Sequence, residues 1–435
     1  MNAPRPLWQG RALALIGIVL VAFSLRSAVA SLSPVLDHIT RDFAVSSVVV
    51  GLIGAAPPVC FAVFGLATPL IERRFGLERV AIGALTVMSL GLLLRGLAND
   101  SLTLLAATVV VFAGVGAGNV LLPPLVKKYF ADRLGVMMTL YSTMMAISTF
   151  VPPLVAVPIA DSLGWRLSLG LWGVFAVLAL LPWITLLLRE RSLAPTASAS
   201  DTPPPDPTDG IDDVTDAVAV ATGSIATAPA DRRVFGRLWR MPLPWALAAV
   251  FGTSSTMAYV AFAWLPALLI DVGDVTPATA GFLLSLFALA GLPCGMVVPI
   301  LIVRFQATRP LFLVAVAAGI VGLLGLLLAP TAAPALWVVV YGLTAILFPL
   351  SLVLLSIRAR TPESAVALSG FVQSIGYAIA AVFPLLVGLL HDTTGGWQVP
   401  LVVIIGVLVV SIPAGLVAGR RRTIEDEWEA RHGRW

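Results

Sequence analysis

Apolar runs of about 20 residues recur along nearly the whole chain, over 13–36, 46–71, 79–98, 102–126, 136–160, 167–188, 243–270, 277–302, 311–329, 335–357, 365–390 and 398–418. No other feature constrains the fold as much. A helix rises 1.5 Å per residue, so about 20 residues cross a hydrocarbon core of about 30 Å. Twelve such runs predict an all-α membrane protein. Composition agrees: 59% of the residues are hydrophobic and 11% charged, where a soluble domain carries about 25% charge.

Twelve crossings put both termini on one side, and 23 of the 27 Lys and Arg fall on that side. Segments facing the cytoplasm carry such an excess, which predicts cytoplasmic termini. The same asymmetry accounts for the pI of about 9.4, so no nucleic-acid partner is inferred. Arg5, Arg11 and the apolar run ending in Ala28-Val29-Ala30 imitate a cleavable leader, but the run continues to Leu36 and reads as the first membrane helix. Cys60 and Cys294 lie inside apolar runs, far from any metal spacing, and read as buried packing residues.

The two parts of the chain are related. A shift of 230 places Gly51 on Gly281, Gly65 on Gly295, Pro69 on Pro299 and Arg74-Phe75 on Arg304-Phe305. A shift of 231 places Pro153-Leu154 on Pro384-Leu385 and Asp161 on Asp392, and one further residue brings Gly164-Trp165 onto Gly396-Trp397. A six-plus-six duplication follows, the plan of major facilitator carriers, with cargo bound between the halves near the midplane. The expected division is a six-helix bundle over 1–188, a disordered linker over 189–240 rich in Pro and Asp, a second bundle over 241–419 and a tail over 420–435 able to form a short surface helix.

Arg26 is the charge set deepest in a membrane run. A lone guanidinium at a bilayer centre costs about 2.5 to 3.5 kcal/mol, so it is expected to face a partner or a wet cavity. No Asp or Glu occupies the interior of any run; Asp37, Asp161, Asp271, Asp274 and Asp392 fall at the outer ends with His38 and His391, and Glu72, Glu78 and Glu363 at the inner ends. Coupling through those rim groups, protons carried with the cargo, and passive or exchange transport all stay open. With no carboxylate nearby in the bilayer, Arg26 calls for an anion or strongly polar acceptor. Candidate walls of its cavity are Asn119, Tyr141, Tyr259, Trp264, Gln373 and Tyr377, the last two sharing one helical face. Each serves equally well as an interhelical hydrogen bond or interfacial aromatic. Arg95, near the outer end of its run, is expected to snorkel to the headgroups. Gly114, Gly116 and Gly118 lack a preceding strand and read as close helix packing instead of a phosphate loop. Pro57-Pro58, Pro152-Pro153, Pro266, Pro349 and Pro384 are expected to interrupt their helices.

Several stretches resemble the major facilitator superfamily and, within it, the cyanate and 2-nitroimidazole transporter family: Leu25-Arg26, Glu72 to Arg79, Gly118 to Phe130, Leu140-Tyr141-Ser142, Gly164-Trp165-Arg166, Trp264-Leu265-Pro266, Leu368 to Tyr377 and Gly395-Gly396-Trp397. The resemblance covers essentially the whole length. It implies two pseudo-symmetric six-helix bundles that alternate between inward-open and outward-open states to move a small anion or polar organic molecule. It also assigns Glu72, Arg73, Arg74, Gly76 and Arg79 to a gating loop, with one departure: Arg73 stands where the superfamily carries an acid, and Glu72 comes one place early. The expectation is a monomeric carrier in a bacterial inner membrane, with a small-molecule substrate, lipid around it, protons as a candidate co-ion, and no cofactor or metal. An efflux carrier for apolar compounds with Arg26 structural is the alternative. No nucleophile with a base and no paired carboxylates occur, so no enzyme is expected.

Overall fold

The computed structural model describes residues 11–130, 133–193 and 232–433. Among them there is no strand, and twelve helices are long and apolar enough to cross a membrane. The first six are Ala12–Ala30, Ser47–Phe75, Leu77–Gly96, Ser101–Phe130, Leu134–Leu163 and Trp165–Leu193. The seventh is Pro242–Gly273; the eighth comes in two pieces, Pro277–Leu289 and Gly291–Phe305; the ninth is Thr308–Leu328. The tenth joins Pro334–Gly342 to Leu347–Ile357 through a 3-10 turn, Leu343–Ile346, and Pro362–Thr394 and Gln398–Ala418 complete the set.

Proline acts at different places from those expected. The second, fifth, seventh and eleventh helices run unbroken through Pro57-Pro58, Pro152-Pro153, Pro266 and Pro384. Neighbouring helices in a bundle tolerate the freed backbone groups. The real breaks lie four residues before other prolines, where the ring meets the preceding carbonyl. The first helix stops at Ala30 before Pro34, and the eighth breaks after Leu289 before Pro293. The 3-10 turn of the tenth covers Ala345 before Pro349, the one expected interruption that is present.

The duplication is visible in detail. Gly76 ends the second helix with φ of 86°, and Gln306, its mate under the 230 shift, ends the eighth with φ of 52°. At the start of the sixth helix the Trp165 indole donates to Asp42 at 2.9 Å; at the start of the twelfth Trp397 donates to Asp271 at 2.9 Å. Each half thus clasps its first helix's exit to its last helix's entry on the same face. The Asp42 carboxyl, held by Trp165 and by Arg166 at 2.5 Å, lies below the usual carboxylate range. Beside it, His38 meets Asp161 at 2.8 Å.

Most of the linker expected over 189–240, residues 194–231, lies outside the described residues. At its margins the sixth helix runs on to Leu193, and Arg232–Leu238 forms a short helix. The tail folds into the helix Ile424–His432, started by a capping box between Thr423 and Asp426. Arg360 ties it down through Asp426 and through Glu429 at 3.1 Å.

Candidate functional site between the halves

On the face opposite the termini the two halves meet backbone to backbone. A Cβ on Gly51 would lie 2.9 Å from the Pro384 carbonyl oxygen, and one on Gly281 would lie 2.6 Å from that of Pro153. Gly51 and Gly281 are repeat mates, as are Pro153 and Pro384, so one contact occurs twice. Gly388 sits equally close to the Ser47 carbonyl, and Gly54 to Ala263 and Pro384. Only glycine leaves room for such approaches, and they close the molecule on this side.

Beneath the seal lies a cavity of about 20 Å³, room for about one water. Val29, Ile53 and Arg95 of the first half and Tyr259, Phe262 and Ala263 of the second line it. One to two turns deeper, Arg26 stands with its guanidinium 5.9 Å from the centre of the Phe61 ring, within cation–π range. Phe61 meets Tyr377 edge-on at 5.7 Å and Tyr259 at 6.4 Å, and the two phenols lie 6.5 Å apart. Arg26 also takes Tyr259 as a side-chain partner, and its charge acts on Tyr377. Arg26 and Phe61 come from the first half, Tyr259 and Tyr377 from the second. The guanidinium is half-buried, and no carboxylate among the described residues pairs with it.

The other candidates divide. Gln373 lies one turn from Tyr377, fully buried; its amide nitrogen donates to Ser369 at 2.8 Å and its Oε1 has no partner. Asn119 is half-buried on the fourth helix, beside the contact of Gly118 with Leu25 of the first. Tyr141 is buried in the hydrophobic core. Trp264 belongs to the seal: its indole donates to the Pro384 carbonyl at 2.8 Å and its ring packs edge-on against Trp397.

Arg95 does not snorkel. It is 1% exposed, donates from Nη1 to the Ala28 carbonyl at 2.8 Å and from Nε to Thr108 at 3.0 Å, and lies over Phe112. The cause is readable in retrospect. Gly91, one turn earlier, lets the third helix close on Val111 of the fourth, and a residue four places on shares that face. The arginine therefore points inward.

At the opposite end of the membrane the loop after the second helix keeps Glu72 half-buried and Arg73, Arg74, Gly76 and Arg79 exposed, with Arg74 over the Phe75 ring. Among the described residues these cations make no ion pair. The polar contact sits instead at Glu78, which is buried and accepts from Lys128 and from the Tyr129 hydroxyl at 2.9 Å. Phe61 and the inward direction of Arg95 are what sequence reasoning missed; from the sequence Glu78 is only an acid at the inner rim.

Residues 18–381 match the sequence model of the Major Facilitator Superfamily. The chain belongs to that superfamily. It is 32% identical to an uncharacterized transporter, YycB, of Bacillus subtilis (strain 168), over 94% of each chain. It is 29% identical to the 2-nitroimidazole transporter of Escherichia coli (strain K12), over 96% of this chain and 98% of that one. The cyanate transport protein CynX of the same organism is 26% identical over 92% and 96%. The fold matches the crystal structure of a bacterial homologue of the human lysosomal transporter Spinster, at a TM-score of 0.72 with 16% identity over 98% and 99% of the chains. The protein is a multi-pass membrane transporter of the major facilitator type and not an enzyme.

Proposed function

We propose that the protein is a monomeric secondary carrier for a small anionic or electron-rich polar solute, with Arg26 as the charge that holds it. One observation carries this reading. A half-buried guanidinium lies between the halves, faced by two phenols and an aromatic ring, with no carboxylate among the described residues to neutralise it. Such an arrangement leaves the charge for an acceptor that comes and goes. Tyr259 and Tyr377 offer hydroxyls, Gln373 an unpartnered amide oxygen one turn away, and Asn119 a further amide at the wall. The names of two relatives, a 2-nitroimidazole transporter and a cyanate transport protein, fit cargo of that size and polarity.

Movement follows from the site lying at the seam. A solute bound by groups from both halves is released when they part, and rocking of the halves exposes the site to each side in turn. Glu72, Arg73, Arg74, Gly76 and Arg79 stand where such rocking rearranges the loop on the side of the termini. Both termini face the cytoplasm of a bacterial cell by the charge asymmetry. Protons remain a candidate co-ion.

The test is a transport assay in proteoliposomes with cyanate and 2-nitroimidazole, paired with thermal shift of the purified protein. Bound cargo raises Tm by mass action. Arg26→Ala abolishes both responses while the protein stays folded, and Arg26→Lys restores part of them, because lysine keeps the charge and loses the planar fork. Full transport by Arg26→Ala would remove the proposal.

A further inference from the structure

On the termini's side of the second half, a basin of about 550 Å³ is lined by Arg309, Arg420, Arg421 and Arg422 together with Gln306, Pro310 and Gly419. The chain builds it deliberately. Arg309 stands in the first turn of the ninth helix, and the other three arginines follow the last turn of the twelfth. Turn bonds from the Arg420 amide to Val417 and from the Arg422 amide to Arg420, both 3.0 Å, fold the three arginines back over the helix end. Gly419 is side-chain-free where a Cβ would strike the Arg309 stem, so the two helix ends close into one rim.

None of these four guanidinium groups has an ion pair among the described residues. Nearby acids are engaged elsewhere. In the tail helix Asp426 and Glu429 bind the Arg360 side chain, Glu425 accepts from the Arg360 amide, and Glu427 accepts from the Leu243 amide and pairs with Arg431. Arg358, deeper and outside the membrane segment, is pushed below its ordinary range first by burial and then by the charge of Arg421. Positive charge is thus crowded here without its own counter-ion.

The location selects the source of the missing anion. Along their length the two helices that carry the basin expose apolar side chains, Leu313, Val314 and Val321 on the ninth and Val402, Val409 and Val410 on the twelfth. These surfaces are suited to acyl chains, so the basin opens at headgroup level on a lipid-facing wall. Clusters of arginine immediately beyond a membrane helix attract anionic lipid.

We propose that the basin of Arg309, Arg420, Arg421 and Arg422 binds the phosphate of an anionic phospholipid headgroup in the leaflet on the side of the termini. The guanidinium forks grip phosphate oxygens, and the acyl chains lie along the ninth and twelfth helices. The lipid ties together the ends of two helices of the second half, independently of any cargo.

The experiment uses the full-length protein in detergent, titrated with phosphatidylglycerol, phosphatidylcholine or inorganic phosphate, with Tm as the readout. Phosphatidylglycerol raises Tm saturably, phosphatidylcholine does not, and the response shrinks with added salt. Each arginine changed to glutamine weakens the apparent affinity about fivefold, so Arg309→Gln with Arg421→Gln gives about 25-fold. Native mass spectrometry of the unmodified protein gives a second reading that needs no variant: phosphatidylglycerol stays bound under activation that strips phosphatidylcholine. Equal responses to the two lipids, or an unchanged affinity in the folded double variant, overturn the proposal. A Tm shift by inorganic phosphate without one by phosphatidylglycerol overturns the lipid assignment.

Discussion

Gly281 and Pro153 meet so closely that a Cβ on the glycine would lie 2.6 Å from the proline's carbonyl oxygen, and their repeat mates Gly51 and Pro384 make the same contact at 2.9 Å. A side chain at either glycine pushes the halves apart where they now touch. Overpacking of this kind costs about 1 to 3 kcal/mol. With Gly281→Val the closed state loses that much relative to the state open on this face. A thiol introduced at Val50, in a background without Cys60 and Cys294, then reacts about tenfold faster with an impermeant maleimide for each 1.4 kcal/mol. Unchanged labelling would show that these contacts do not govern closure.

Arg95 and Arg26 separate stability from transport. Arg95→Leu strips donors from the buried Ala28 carbonyl and from Thr108, and lowers stability by about 2 to 3 kcal/mol. Arg26 makes no such backbone bond among the described residues, so Arg26→Ala leaves the melting temperature of the cargo-free protein nearly unchanged. Thermal unfolding of the two purified variants checks the contrast. Similar losses in both would refute it.

The paired tryptophan clasps differ in one respect. Asp42 also holds Arg166, whereas among the described residues Asp271 accepts only from Trp397. Trp397→Phe removes the protein donor from an exposed carboxylate that water then serves, and costs about 0.5 to 1.5 kcal/mol. Trp165→Phe costs less, because the arginine remains. Unfolding of the two single variants, read side by side, gives the order directly.

Acid releases the tail helix. Bonds from the Thr423 backbone and from Arg360 hold the Asp426 carboxyl down at about 2, against an ordinary value of 3.8. A depressed folded value means that the docking contribution is full above the unfolded pKa and is lost as pH falls through the folded one. Cleavage of the tail by an acid-active protease therefore stays slow above pH 3.8 and rises as pH falls towards about 2. Asp426→Asn shows the fast rate at neutral pH with a neutral protease; a slow rate there would show that the contact does not hold the tail.

Much of this was legible in the residues, and the rest was hidden for identifiable reasons. Hydropathy alone gives twelve crossings, because a bilayer demands apolar length and little else. The offsets of 230 and 231 residues picked out Gly51 with Gly281 and Pro153 with Pro384, which turn out to be points where the halves touch. Arg26, Tyr259 and Tyr377, all named from the sequence as candidates, lie around one ring, that of Phe61. Phe61 stayed invisible, since one phenylalanine among the chain's 19 carries no signal until its neighbours across the seam are known. Trp264 was open for the opposite reason: an indole in a membrane helix suits a cargo wall and a carbonyl partner equally, and here the Pro384 carbonyl accepts from it. The helix breaks depended on which prolines find replacement partners for the backbone they disturb, a property of the neighbours and not of the proline.

Because the closed face is held by close approaches of glycines to carbonyls and prolines and by one uncharged indole bond, its strength owes little to charge. Changes of pH or ionic strength, which reach the acids and histidines at the rim, therefore leave this latch alone. Residues deeper in the seam can likewise be exchanged without touching these contact points, so one duplicated fastening leaves the interior free to vary.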